Sequence, residues 1–389
     1  MNKLSIAIII CLLTFSSCAQ MNLDRWYKGN LHTHSYWSDG NDFPEMIIDW
    51  YKTNGYDFVA LSDHNVLSQG EKWKLIPDNP SHQEGFKRYL EKYGKRWVEY
   101  KDDENGVIHV KLKTFSEYVP LFYEENKFLI VQAEEISSKG PHIGAVNIAE
   151  GIIPNITGDK VQVAQNMLDQ VYEQRNRTGQ VMFAHINHPN FPGGLTPDEM
   201  MLLRGDRFFE VYNGHPSVVN FGNFEKLTTD ELWDKYLINC FTVSKPMIFG
   251  MATDDTHDYL QSGVGRSNAG RGWVMVKAEE LTAESLIKAM EKGDFYASTG
   301  VLLKAISFKR RKLTIKIQEE LGVTYSIQFW GVKKGNKERI LLKEIKGNKA
   351  SYKLTSDDLY VRSKVISDKL KENPFQKGEF EMAWTQPMN

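Results

Sequence analysis

Cysteine is scarce in this chain. Its 389 residues include three, and Cys11 and Cys18 both fall within the first twenty positions. Cys240 alone lies in the body, which excludes an intrachain disulfide framework there and any thiolate-cluster metal site. Long apolar runs are missing as well. After the N-terminus nothing approaches the ~18 consecutive apolar residues of a membrane helix. A basic excess is also absent. The 48 Lys and Arg stand against 50 Asp and Glu, a formal net charge of −2, so nucleic acid is not expected as a partner. There is no low-complexity tract and no internal repeat of ~20–50 residues, which sets aside solenoids. What remains is ordinary globular composition, 41% hydrophobic and 25% charged. The length suits one large domain and one smaller.

The N-terminus reads as an export signal. Lys3 precedes a mostly apolar run from Leu4 to Phe15, too short to span a bilayer but the length of a signal-peptide core. Phe15-Ser16-Ser17-Cys18 resembles a bacterial lipoprotein signal, in which the cysteine is lipidated and becomes the first residue. Residues 1–17 would then be the signal peptide. The mature chain would sit in the cell envelope, periplasm or outer membrane, held to a membrane only by lipid on Cys18. An ordinary secretory signal cleaved nearby is the alternative.

In the body, short apolar runs recur, and most end in polar, metal-capable residues. Phe58-Val59-Ala60-Leu61 leads into Ser62-Asp63-His64, and Phe128-Leu129-Ile130-Val131 into Glu134-Glu135. Val181-Met182-Phe183-Ala184 leads into His185-Ile186-Asn187-His188, and Met247-Ile248-Phe249-Gly250 into Asp254-Asp255-Thr256-His257. His142 opens the run Ile143 to Val146, and Phe208 to Tyr212 precedes Asn213-Gly214-His215. Helical patterns lie between: Phe43 to Asn54, Val161 to the stop at Gly179, and Thr282 to Lys292. The alternation predicts an α/β fold with buried parallel strands and a site at their carboxyl ends. From about residue 301 the pattern changes to period two. Leu313, Ile315 and Ile317 alternate with polar residues, and turns follow at Gly335-Asn336 and Gly347-Asn348. This predicts a β-sandwich-like module over 301–389 after a larger domain over 18–300. The stretch 66–127, rich in charge and aromatics, is too long for a barrel connection. It reads as an insertion, either a lid or substrate wall, or a solvated decoration.

His32-Thr33-His34 stands just past an apolar residue, with Asp39 five positions on. Side chains at i and i+2 of a strand share a face, so the two imidazoles could meet one metal or two. Of the ten histidines, His82 and His109 fall in the insertion. The other eight track strand ends, alongside Asp39, Asp63, Glu135 and Asp255.

Together these motifs resemble the PHP (polymerase and histidinol phosphatase) family. They are His32-Thr33-His34-Ser35 with Ser38-Asp39-Gly40, Ser62-Asp63-His64-Asn65, Glu135-Ile136-Ser137, His142, Asn187-His188-Pro189 and Asp255-Thr256-His257. They span roughly residues 28 to 300 in family order. The resemblance implies a distorted (β/α)7 barrel holding up to three divalent metal ions, and phosphoester hydrolysis. It implies as ligands His32, His34, Asp39, His64, Glu135, His142, His188, Asp255 and His257, with Glu135 bridging. Three departures bear on this assignment. Glu134 stands where the family has an apolar residue, but Ile136-Ser137 selects Glu135. Asp-x-His spacing selects Asp255 over Asp254. Proline follows His188 rather than His185, leaving His185 beside the ligands or facing substrate.

Imidazole and carboxylate without thiolate suit Zn, Mn or Fe. Clustered ions lower the pKa of a shared water, and the resulting hydroxide can attack phosphorus in line. Six histidines and three carboxylates leave three divalent ions net positive, which favours a small anionic, phosphorylated substrate. Asp255 or a histidine could handle the proton. In Gly263 to Gly272, Arg266 or Arg271 could clamp phosphate, or the stretch is simply a flexible surface loop. His215 could be a general acid, or simply a pocket or core histidine. Two other readings stand beside phosphoester hydrolysis. One is a surface lipoprotein that binds carbohydrate, with a structural metal site. The other is hydrolysis of C–N or C–O bonds. A nuclease role is disfavoured by the export signal and charge balance. Substrate identity, native metal and oligomeric state are not legible.

Overall fold

The computed structural model describes residues 25–389. The export signal and Cys18 lie outside the described residues. The chain opens with β1 (Arg25–Asn30), α1 (Pro44–Thr53) and β2 (Phe58–Leu61). The insertion supplies β3 (Trp73–Leu75), α2 (Pro80–Tyr93), β4 (Tyr100–Asp102), β5 (Ile108–Lys111) and α3 (Phe115–Phe122). Then come β6 (Leu129–Ser137), β7 (His142–Val146), α4 (Lys160–Thr178), β8 (Phe183–Ile186), α5 (Pro197–Leu202), β9 (Phe208–Asn213) and α6 (Thr229–Val243). They are followed by β10 (Phe249–Thr253), β11 (Trp273–Ala278), α7 (Ala283–Glu291) and β12 (Phe295–Ser298). The C-terminal part is all strand: β13 (Leu303–Lys309), β14 (Lys312–Ile317), β15 (Tyr325–Lys333), β16 (Ile340–Lys346), β17 (Lys349–Lys353), β18 (Asp358–Leu370) and β19 (Phe380–Thr385).

Local chemistry sets the helix ends. Pro44 sits in the first turn of α1, where a missing N–H costs nothing. Asp159 and Gln162 cap the start of α4, and Gly179 ends it in the left-handed conformation at φ 72°. Thr228 and Glu231 form the same reciprocal cap on α6.

Thirteen strands form one mixed sheet in the order β10-β9-β8-β7-β6-β2-β1-β11-β12-β19-β18-β15-β16. Pairing is parallel at β10/β9, β9/β8, β6/β2 and β2/β1. The expectation of buried parallel strands thus holds only in part. β7 runs antiparallel to both β6 and β8, since the four-residue turn from Ser137 to His142 is too short for a crossover. Among the described residues no ladder closes the sheet into a barrel. A single parallel bridge, Thr33 to Thr256, joins the segments beyond β1 and β10. Buried strands such as Phe58-Val59-Ala60-Leu61 need apolar residues on both faces, which explains their unbroken apolar runs.

No break in pairing separates the C-terminal strands from the rest. β19 pairs with β12, so the sheet runs on into β18, β15 and β16. The sheet β13-β14-β17 and these strands share one core, including Leu313, Ile315, Ile327 and Phe329. The joint with α6 is ionic. Buried Arg362 donates to Asp234 at 2.6 and 2.8 Å and meets Asp230 at 2.6 Å, with its guanidinium over Trp233.

The insertion acts as a buttress. Its sheet and α2 enclose Tyr36, Trp37 and Phe43 in a core with Ile76, Phe86 and Tyr89. Trp37 Nε1 donates to Lys113 O at 3.0 Å, and buried Glu45 accepts from Tyr89 and Trp97, both at 2.7 Å. This holds the loop that carries Asp39.

Candidate metal centre

Backbone hydrogen bonds beyond the named strands bring the site together. His34 N donates to Thr256 O and Asp255 N to His32 O, both at 3.0 Å. Glu135 N donates to Ser62 O at 3.1 Å, and an isolated parallel bridge pairs His64 with Glu135. Asp63 ties down the intervening loop. Its carboxylate accepts from Ser35 N at 2.8 Å, Ser35 Oγ at 2.7 Å and Ser38 Oγ at 2.6 Å.

Four overlapping groups result: His34, Asp39, His64 and His257; His32, His34 and Asp255; His32, Glu135 and His188; His64, Glu135 and His142. Within each group the ligand atoms lie within 4.8 Å of one another. Glu135 is the hub. One of its oxygens lies 3.0 Å from His142 Nδ1, 3.1 Å from His188 Nε2 and 3.3 Å from His32 Nε2. The other lies 2.9 Å from His64 Nδ1 and 3.3 Å from His34 Nε2. Asp255 Oδ1 lies 3.2 Å from His34 Nε2 and 3.3 Å from His32 Nε2. Asp39 stands at the mouth, 57% exposed, 3.3 Å from His257 and 3.6 Å from His64.

Several rings are held by their far nitrogen. His32 Nδ1 donates to Glu210 at 2.7 Å, His142 Nε2 to Ser138 O at 3.1 Å and His257 Nδ1 to Asp255 O at 3.0 Å. Each leaves the other nitrogen facing the cluster, the arrangement that a metal-ligating histidine needs. His32 Nε2 and His34 Nε2 are buried without a hydrogen bond. Buried polar atoms without partners are costly, and a divalent ion would satisfy both. The residues present fit such ions. Two of them, His188 at φ 21° and Asp255 at φ 49°, occupy backbone conformations that cost roughly 1–3 kcal/mol each, as is common at functional sites.

The electrostatics agree. Burial raises the Glu135 carboxyl, but His32, His142 and His188 outweigh it and hold it well below the usual range. Burial lowers His257, yet Asp39 and Asp255 lift it to about 9. Burial and then the charge of His257 push His34 down to about 3. Without ions, protons on some imidazoles stand in for positive charge that metals would bring.

The ambiguous pairs separate, Glu134 from Glu135 by alternation along β6 and the others by their partners. Glu134 points away and accepts from Ile152 N at 3.0 Å. Asp254 accepts from Gly270 N at 2.9 Å, Arg271 N at 2.6 Å, Gly272 N at 2.8 Å and Tyr51 at 2.8 Å, so it anchors a loop. His185 joins none of the four groups. Its ring lies over Gly144, where an added Cβ would sit 2.1 Å from Nε2.

The cavity over the cluster holds about 380 Å³ and includes His215 in its wall. The expected phosphate clamp is not assembled. Arg271 is fully buried and donates to Gly214 O, Gly263 O and Pro374 O, since a permanent cation in the interior needs acceptors. Arg266 is half exposed, lies 3.8 Å from Asp258 and does not line the cavity. No insertion residue lines it either, so the expected lid or substrate wall gives way to the buttress described above.

Glu210 is the residue that sequence reasoning missed. It is fully buried in β9 and accepts from His32, from His188 N at 2.7 Å, from Thr253 at 2.8 Å and from Asn213 at 2.8 Å. The available signal was a lone carboxylate inside the apolar run Phe208 to Tyr212.

No family model matches the chain, and no curated protein does. Several solved structures are similar to it, two of them as follows. One, from Bacteroides vulgatus, is a two-domain protein containing a predicted PHP-like metal-dependent phosphoesterase. Its identity is 14% and its TM-score 0.42, covering 91% of this chain and 93% of that one. The other, from Bifidobacterium adolescentis, is a candidate metal-dependent phosphoesterase. Its identity is 12% and its TM-score 0.29, covering 60% of this chain and 88% of that one. With TM-scores below 0.5, neither likeness bears on which residues act or on what.

Proposed function

We propose that this chain is a metal-dependent phosphoester hydrolase of the PHP type. In this reading the Thr33–Thr256 bridge marks a distorted seven-stranded barrel, and up to three divalent ions occupy the cluster. The observation that carries it is the convergence of His32, His34, Asp39, His64, Glu135, His142, His188, Asp255 and His257, with His32 Nε2 and His34 Nε2 buried and unbonded. Export and anchoring at Cys18 rest on the sequence alone.

Ions held there would supply Lewis acidity, an activated water and charge to offset phosphoryl oxygens. The chain's own groups do the rest. Glu135, buried and with five imidazoles within 3.3 Å, would keep adjacent ions close together. Asp255 Oδ2 accepts from Asn213 Nδ2 at 3.0 Å, which orients the carboxylate to take a proton from water. His215 Nδ1 accepts from Ser217 N at 3.1 Å, so the neutral ring carries its proton on Nε2. Burial pushes His215 below its ordinary pKa, so it would meet a leaving oxygen as a neutral donor.

The test is direct. Protein beginning at residue 19, stripped and reloaded with Mn²⁺ or Zn²⁺, should cleave members of a phosphomonoester and phosphodiester panel. Asp255→Ala should lower kcat/KM by at least ~100-fold. Absence of turnover across the panel, with metal verified on the same sample, overturns the proposal.

A further inference from the structure

We infer that the cavity selects phosphoesters whose organic part carries no further negative charge, with Asp258 and Phe191 setting that preference. The inference rests on the phosphoester reading above.

No lysine or arginine lines the cavity among the described residues. The nearby cations are engaged elsewhere. Arg271 is spent on backbone carbonyls, and Lys74 donates to Ser38 O at 3.3 Å. Of the carboxylates in the wall, Asp39, Glu135 and Asp255 belong to the metal groups, and Asp258 does not. Asp258 is held by neutral donors, Asn41 Nδ2 at 3.0 Å and Ser267 N at 3.2 Å. Arg266, at 3.8 Å, is half exposed and only partly offsets its charge. A phosphoryl group drawn to the ions therefore leaves the rest of the substrate beside a carboxylate that Arg266 only partly offsets, with no cation in the wall itself. A second phosphate or a carboxylate there meets repulsion. An uncharged group meets Phe191, whose ring centroid lies 4.9 Å from His188 and 5.9 Å from His215, with Pro216 in the same wall. That surface suits a sugar face, an aromatic ring or an alkyl chain.

The probes are phenyl phosphate, 4-carboxyphenyl phosphate and 4-(aminomethyl)phenyl phosphate, each as monoester and as methyl diester, on the metal-loaded protein. The carboxylate does not weaken the leaving group, so slow turnover of that member reports recognition. We expect kcat/KM for it to fall about tenfold below phenyl phosphate at low salt, with the gap shrinking at high salt. The aminomethyl member should match or exceed the parent. Asp258→Asn should bring the carboxylate to within about threefold of the parent, and the salt series on the unaltered protein stands if that variant fails to fold. Equal or faster turnover of the carboxylate overturns the inference alone, the more so if Arg266→Met abolishes a preference for it. No turnover of any member overturns the hydrolase reading and this inference with it.

Discussion

Two buried clusters of charge in this molecule are built from similar parts and end differently. On α6, Asp230 and Asp234 face Arg362, Lys364 and Arg339 at 2.6–3.1 Å. At the strand ends, buried Glu135 and Asp255 have imidazoles as their only cationic partners among the described residues, and two of those nitrogens, His32 Nε2 and His34 Nε2, make no hydrogen bond. Arginine and lysine carry their charge into the fold, so the first cluster is closed by the chain itself and acts as a joint. Histidine is charged only when protonated, so the second is closed by protons or by ions from outside. Carboxylates matched by permanent cations indicate structure; carboxylates matched by histidine indicate a place for something else.

The largest effect expected from breaking this contrast is at the joint. Arg362→Ala leaves Asp230 and Asp234 buried with part of their pairing gone. Such a loss costs about 3–5 kcal/mol, measurable by denaturant unfolding. Metal content per folded molecule should not change. A parallel loss of metal would mean that the two clusters are not separable.

A third buried carboxylate belongs to neither class and sharpens the rule. Asp42 accepts from Phe43 N at 2.9 Å and has no ion-pair partner among the described residues, and burial pushes its carboxyl to about 7. A folded pKa above the unfolded one means stability present at acid pH, below about 4, and lost as pH rises through 7. Asp42→Asn should remove that loss. The variant should gain on the parent between pH 4 and pH 8 by up to about 4 kcal/mol, read from paired unfolding curves. A pH-independent difference would show that Asp42 stays ionised throughout.

Much of the centre was legible because strand ends carry chemistry in short motifs. His32-Thr33-His34 and Asp255-Thr256-His257 each put two candidate ligands two residues apart in one segment, and alternation in β6 separates Glu134 from Glu135. Other features were hidden for physical reasons. Helix α6 escaped because Leu232, Trp233, Asp234, Tyr236 and Leu237 are all buried, leaving no clean amphipathic stripe. Arg271 looked like a phosphate ligand because a glycine-rich loop does not reveal which way its cation turns. Sheet closure was not legible either, since a bridge such as Thr33–Thr256 has no local signature. The antiparallel turn before β7 lies in the short spacing Ser138-Lys139-Gly140-Pro141, which a loop count alone could have exposed.

Glu210 gives the finest test, because it belongs to the second cluster yet touches no proposed ion. It fixes the His32 ring through Nδ1 and the backbone of His188 through its N–H. All four of its contacts are donors, from His32, His188, Thr253 and Asn213. Glu210→Gln keeps the shape but turns an amide NH₂ toward one of them. The His32 ring then loses the charge that holds its proton on Nδ1 and leaves Nε2 free. Replacing such an outer carboxylate weakens metal binding by about 10–100-fold, or roughly 1.4–2.7 kcal/mol. Competition with a chromophoric chelator would read the change, and thermal unfolding of the metal-free form would check the fold. Unaltered metal affinity in a folded variant would mean that Glu210 serves β9 alone, and the line between joint and site would have to be redrawn around it.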